Sequence, residues 1–258
     1  LKGIMSIQTS TRNGVASIEI ARPDKKNAIT IAMYQEMADA LWDAQDARDV
    51  RAVLIHGATD IFTSGNDLTD FMLRPPSGVD SPVFQFMKAL KDAEKPVVAA
   101  VAGAAVGIGT TLLLHCDLVY AADNAKFSMP FASLGLCAEF ASSLLLPATA
   151  GYARAAEKLL LSEPFDVTEA IEMGIVNRAL PPTELLAYAH GRAERFNLLP
   201  PDAVRTTKRL MRAGQKQLID QTIAAEGKEF ARLLISDQAK EAFAAFFERR
   251  KPDFAKFS

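Results

Sequence analysis

Apolar and polar positions change their period along the chain, and each change predicts an element. Ile7–Thr11 and Val15–Ile20 flank Asn13-Gly14, which predicts a hairpin. Arg22-Pro23-Asp24-Lys25-Lys26-Asn27 is a polar loop. Thr30 can cap a helix to about Ala47, with Met33, Met37, Ala40, Leu41 and Ala44 on one face. Val53–His56 is a short strand, and residues 57–82, with Pro75, Pro76 and Pro82, read as loop. Val83–Ala93 is a helix and Val97–Val101 a β-branched strand. A glycine turn then leads into a helix from Ile108 to His115, and Leu118–Ala121 is a further buried strand. Leu144–Leu161 is helical with a break at Ala150-Gly151, and Val167–Met173 is a short helix capped by Gly174. After Pro181-Pro182 the pattern is continuously helical to about Arg250. Strands alternating with helices over the first 180 or so residues argue an α/β fold, and the tail a helical extension.

Composition narrows the class. The chain has 258 residues, 49% hydrophobic and 23% charged, which is globular and excludes a disordered or collagen-like chain. Residues 1–200 carry 17 basic and 23 acidic side chains, and residues 201–258 carry 12 and 8. The basic tail could serve an anionic ligand, although a solvated helical face explains it as well. The near-neutral total disfavours nucleic acid. Cys116 and Cys137 make no disulfide framework and fit a reducing, cytoplasmic setting. His56, His115 and His190 are scattered, so no metal site is expected. Val97–Leu114 carries no charge over 18 residues, but its centre is small residues, so strand, turn and helix fit better than a membrane span. Leu1–Ile4, ahead of Met5, read as a vector remnant, and Ala255-Lys256-Phe257-Ser258 is not a peroxisomal address.

Two glycine turns stand out. In Ser64-Gly65-Asn66-Asp67-Leu68, Gly65 permits close backbone approach and leaves the Asn66 N–H free to face a ligand, although such turns are commonly only turns. In Gly107-Ile108-Gly109 a strand feeds a helix whose first N–H groups lack intrahelical partners, so the Ile108 N–H is a ready donor. Close helix–strand packing is the plain alternative. The turn is neither a dinucleotide fingerprint nor a P-loop. Two such donors can form an oxyanion hole.

Phe62–Leu68, Lys95–Ala122 and Ala125–Pro147 together resemble the enoyl-CoA hydratase/isomerase (crotonase) superfamily. So do Arg22-Pro23 with Asn27-Ala28, Ser162–Val176 and Glu248–Phe254, so the resemblance spans nearly the whole chain. It implies a crotonase-like (ClpP/crotonase) spiral of β-β-α turns over about 5–195. It also implies a helical trimerisation region over 196–258, with assembly as a homotrimer or a dimer of trimers. An acyl-CoA thioester is the implied ligand. The N–H groups of Asn66 and Ile108 would hold its oxygen, and no cofactor is implied beyond the coenzyme A of the substrate.

The acid–base residues separate the family's reactions. Hydratases carry one glutamate where this chain has Thr111, and a second after the proline of a Phe-x-x-Pro-Glu segment, where Pro130 is followed by Phe131. Both acids are absent. Glu139, in Leu134-Gly135-Leu136-Cys137-Ala138-Glu139-Phe140-Ala141-Ser142, resembles the single catalytic glutamate of peroxisomal-type Δ3,Δ2-enoyl-CoA isomerases, with Phe140 in place of a small residue. One base suffices for that reaction, since a proton leaves C2 and returns at C4. Without the resemblance, Glu139 reads as a surface carboxylate at a helix N-terminus. Asp67 and Asp117 read as structural, and His115 as a cationic or hydrogen-bonded helix end without a catalytic role.

By the resemblance, Lys25 to Ala28 lie near the CoA nucleotide, and Ser64, Gly65, Asp67 and Gly107 also bind the substrate. Phe247 and Lys251 contribute from the same or a neighbouring subunit. Leu68, Phe84, Met87, Phe131 and Phe140 are candidate walls for the acyl chain. A crotonase of another reaction and a non-catalytic CoA-binding scaffold remain open, and Glu139 discriminates among the three.

Overall fold

The computed structural model describes residues 6–57, 60–73, 78 and 80–257. The readings at Leu1–Ile4, Met5, Pro75, Pro76 and Ser258 lie outside them. A hairpin of β1 (Ile7–Arg12) and β2 (Val15–Ile20) opens the chain, and helix α1 (Ile31–Asp46) follows. The Thr30 hydroxyl accepts the Met33 N–H, the expected cap. Strand β3 (Ala52–Gly57) pairs parallel to β2, and β4 (Val97–Val101) parallel to β3. Between them lie α2 (Leu68–Leu73) and α3 (Pro82–Lys91). The six-stranded sheet is completed by β6 (Leu118–Ala122) and β9 (Arg178–Leu180). Its central strands β3 and β4 are apolar apart from His56 because both faces are covered. Val53, Ile55, Val97 and Ala99 face the main core with α1 and α3, while Leu54, Val98 and Ala100 pack against Leu185 and Ala189 of α8 (Pro182–Glu194).

A second, three-stranded sheet is stacked from short pieces: β5 (Ala104–Val106), β7 (Lys126–Ser128) and β8 (Phe165–Asp166). Isolated bridges extend it, Thr63 to Ala105 and Asn66 to Ile29. Each turn of the chain therefore gives one strand to the large sheet and one to the small sheet, then a helix. The turns are β3, the Thr63–Asn66 segment and α3; β4, β5 and α4 (Ile108–Thr111); and β6, β7 and α5 (Ser142–Ala150). This is the expected β-β-α spiral.

Several elements depart from expectation. Residues 57–82 contain α2, and Pro82 occupies the first turn of α3, where its missing N–H costs nothing. The helix expected over 108–115 is one α-turn that tightens into a 3-10 turn over Leu112–His115. The break at Gly151 holds, with φ at 82°, and it separates α5 from α6 (Tyr152–Leu160). Helix α7 (Val167–Glu172) starts on an Asp166 capping box. The tail is not continuous. It is α8, α9 (Pro201–Ala213), α10 (Lys216–Leu234) and α11 (Asp237–Glu248), interrupted at Pro200, Gly214 and Ser236. Asp117 anchors α9: its carboxylate accepts from Lys208 Nζ (2.6 Å) and from the Val97 N–H (2.8 Å). Gly135 fits under α11, where a Cβ would lie 2.8 Å from the Ala239 nitrogen.

Candidate functional site

The two glycine turns sit side by side because their strands are in register. The Thr63 N–H donates to the Ala104 carbonyl and the Val106 N–H to the Thr63 carbonyl. Asn66 and Ile108 each follow three residues after the bridged pair Thr63–Ala105. Gly65 makes the approach possible, since a Cβ there would lie 2.8 Å from the Val106 carbonyl oxygen, and its φ is +88°. On the other side Ile29 donates to the Gly65 carbonyl and accepts from the Asp67 N–H. In a parallel bridge this turns the N–H of Asn66 itself away from Ile29. Gly107, at φ 56°, caps α4 and leaves the Ile108 N–H at its first position. Among the described residues, neither the Asn66 nor the Ile108 N–H has a protein acceptor. Two unpaired donors thus emerge at one end of adjacent segments.

A cavity of about 230 Å³, bounded by α1, α2, α3 and α10, has Asn66 in its lining but neither Gly107 nor Ile108. Its walls are mainly apolar: Phe71, Phe84, Met87, Phe140 and Phe230 contribute, with Tyr34, Asn66 and Glu139 as the polar groups. Among the described residues Glu139 is the one acid in the lining. Burial pushes its carboxyl up to about 8; the Thr111 hydroxyl donates to it and draws it down, and the Glu226 charge raises it further. Such a carboxyl releases and takes back a proton near neutral pH. The Tyr34 hydroxyl donates to Asn66 Oδ1 (2.5 Å). Burial and then the Glu139 charge hold the Tyr34 phenol well above its usual range, so it stays a donor.

Glu139 is carried on a strained turn. Phe140 and Ala141 are both left-handed, at φ 54° and 57°, costing roughly 1–2 kcal/mol each. His115 Nε2 bonds the Phe140 carbonyl (2.8 Å), and its ring stacks on Phe140 with centroids 3.8 Å apart. Burial lowers His115 to about 3, so it is a neutral donor here and not a cationic helix end. Ala141 cannot cap α5 with its side chain. Glu226 of α10 does so instead, accepting from the Ala141 N–H (2.6 Å), the Ser143 N–H (3.0 Å) and the Ser143 hydroxyl (2.5 Å). The role of a carboxylate at this helix start belongs to Glu226, and Glu139 faces the cavity.

The 22–29 loop packs on the Asn66 turn, so Lys25, Ala28, Ser64, Gly65 and Asp67 share one neighbourhood. Ser64 donates to the Lys26 carbonyl (3.1 Å), and Arg22 bonds both the Ala28 carbonyl (3.0 Å) and the Asp67 carboxylate (2.8 Å). Arg22 holds Asp67 below the usual carboxylate range, which makes it a brace and not a base. Lys25 is exposed. Leu68 and Phe131 are not in the cavity lining; Phe131 packs against Gly107 and, at 6.5 Å between centroids, against Phe230. Phe247 and Lys251 are exposed beyond the cavity, near the end of α11. Phe84, Met87 and Phe140 do line it. Tyr34 and Glu226 carry no mark in the sequence, because their partners are distant in the chain. Buried Asn27 ties Arg22 to the Ile61 carbonyl through its side-chain amide. No three His, Cys, Asp or Glu side chains gather as a metal site among the described residues. No helix among them is long and apolar enough to cross a membrane.

The solved structure of Pseudomonas aeruginosa OdaA superposes with a TM-score of 0.93 at 48% identity, covering 95% of this chain and 100% of that one. An enoyl-CoA hydratase/isomerase from Pseudoalteromonas atlantica T6c superposes at 0.92 with 42% identity, over 96% and 99% of the two chains. Human enoyl-CoA delta isomerase 2 is 33% identical over 96% of this chain, which spans 64% of that protein's length. A probable enoyl-CoA hydratase from Bacillus subtilis is 30% identical over 93% of this chain and 95% of its own. Residues 10–256 match the family model for enoyl-CoA hydratase/isomerase. With this spiral, these paired turns and that match over nearly its full length, the chain belongs to the enoyl-CoA hydratase/isomerase (crotonase) family.

Proposed function

We propose that this family member is a Δ3,Δ2-enoyl-CoA isomerase in which Glu139 moves the proton. The carrying observation is that, among the described residues, Glu139 is the one acid lining an apolar cavity that Asn66 also lines, and the Asn66 N–H and that of Ile108 on the adjacent segment have no protein acceptor. At the two positions where hydratases of the family keep their acids, this chain has a threonine that donates to Glu139 and a buried phenylalanine. The N–H groups of Asn66 and Ile108 accept the charge that develops on the thioester oxygen as C2 loses its proton. Glu139 takes that proton and returns it at C4, and the double bond moves from C3–C4 to C2–C3. Water is neither added nor needed, and the apolar walls exclude it. The isomerase name of the human relative supports this reading, and the hydratase name of the bacterial one keeps hydration as the competing test.

On the same reading Lys25, Ala28, Phe247 and Lys251 serve the nucleotide of the acyl-CoA, and the chain works as a homotrimer or a dimer of trimers. The test is turnover of trans-3-hexenoyl-CoA, followed by the absorbance of the conjugated thioester, beside hydration of crotonyl-CoA. Glu139→Gln should lower isomerisation by roughly 10²- to 10⁴-fold, with little hydration in either protein. Hydration that survives the substitution would sink the mechanism, and no turnover of either ester would favour a scaffold.

A further inference from the structure

We propose that Glu226 is a positioning residue for the reaction: it fastens α10, a wall of the cavity, to the turn that presents Glu139. The proposal rests on the reading of Glu139 as the base. Glu226 is buried and acceptor-only in its contacts, with one oxygen on the Ala141 N–H and the other on the N–H and hydroxyl of Ser143. Burial raises the Glu226 carboxyl above its ordinary range, and the three donors on its two oxygens draw it back toward the ionised form. These bonds reach a stretch that local sequence does not hold. Phe140 and Ala141 are left-handed without being glycine, and α5 begins with no side-chain cap of its own. His115 grips the Phe140 carbonyl from one side and Glu226 the Ala141 N–H from the other. The direction of the Glu139 side chain follows from that two-sided grip.

The same helix closes the substrate space. Ile223, Gly227, Phe230, Ala231 and Leu234 of α10 line the cavity, with Glu226 in the middle of this run. Gly227 lets α10 come close to Phe84, whose Cζ would lie 3.1 Å from an added Cβ. Wall and base are thereby one mechanical unit. Glu226 also acts through its charge. The groups that face Glu139 are Tyr34 from α1, Thr111 from α4 and Glu226 from α10, and those near Glu226 are Ser143, Glu139 and the Cys137 thiol. Of these, Glu226 is the acid whose charge, once ionised, makes Glu139 harder to ionise, after burial itself.

The experiment compares wild-type enzyme with Glu226→Gln, which keeps the shape but loses the charge and one acceptor. Turnover of trans-3-hexenoyl-CoA is measured across pH, and amide hydrogen exchange is read at Ala141 and Ser143. The expected result is kcat lower by roughly 10- to 100-fold, as for a misplaced base, with KM nearly unchanged. The acid limb of kcat/KM should move to lower pH, and both amides should exchange faster. Wild-type kcat, pH profile and exchange in Glu226→Gln would overturn the proposal. Glu139→Gln is run in parallel. If it keeps full isomerisation, the reading of the base fails, and exchange at the two amides alone decides whether Glu226 holds the turn. Should Glu226→Gln fail to fold, Ser143→Ala removes one of the three bonds and leaves the charge. A smaller fall in kcat with an unmoved acid limb is then expected, and an unchanged kcat overturns the proposal.

Discussion

A glutamate among Thr111, Tyr34 and Phe140 holds its proton more tightly than one in water, and two measurable consequences follow. The first concerns rate. Burial brings Glu139 to about 8, and the base acts only when ionised. Isomerisation kcat/KM should therefore climb as pH rises through about 8 in the free enzyme; a profile flat from pH 6 to 9 would contradict this. The second concerns stability. In the unfolded chain a glutamate titrates near ~4.3. Between that value and about 8 the folded protein binds a proton that the unfolded chain has released. Stability is therefore lost as pH rises across this window. Glu139→Gln removes the penalty, so the inactive variant should melt several degrees above wild type at pH 9 and level with it near pH 4. An equal gap at both ends would contradict the assignment. Glu139 is legible in the sequence because its motif is local. Glu226 is not: it bonds Ala141 across 85 residues of chain, and its role exists only once α10 has docked.

At the scale of elements, the long periodic segments are legible and the short ones are not. The hairpin, α1, α3 and the strands β3, β4 and β6 of the large sheet follow from pattern alone, whereas its three-residue edge strand β9 does not. The strands β5, β7 and β8 have two or three residues each, too few for an alternation to register, yet they set the geometry of the site. The tail reads as one helix because its apolar positions continue through Gly214 and Ser236, where capping ends one helix and starts another. Register between the Thr63–Asn66 segment and β5 is what aligns the two backbone donors. Gly65→Ala attacks that register in two ways, through a left-handed backbone and a Cβ 2.8 Å from the Val106 oxygen. The expected outcome is a fall in kcat of roughly 10²- to 10³-fold, the loss typical of one oxyanion donor, with far-ultraviolet circular dichroism retained. Full activity in Gly65→Ala would show that the approach of these segments does not position the donors.

Across the whole molecule, the C-terminal helices belong to the site as much as the spiral does. Lys208 and Arg212 of α9 reach Asp117 and the His115 carbonyl at the back of the core, α10 supplies the cavity wall, and α11 seats on Gly135. Several large apolar side chains of this helical region are exposed. Met211 is 80% exposed, Leu198 79%, Ile235 74% and Leu210 68%. The assembly proposed above would cover such side chains. The sequence supports the same expectation only by resemblance. A charge at the most exposed position should prevent association while leaving the fold alone. Met211→Glu is therefore expected to sediment as a monomer where the wild type sediments as a trimer or a larger multiple of three. Phe247 and Lys251 lie exposed beyond the chain's own cavity. If they serve the nucleotide of a substrate bound to a neighbour, the monomeric variant should show a raised KM for the CoA ester and a smaller change in kcat. A wild-type protein that already sediments as a monomer would contradict the assembly. A Met211→Glu monomer with unchanged KM would instead assign these two residues to the tail alone.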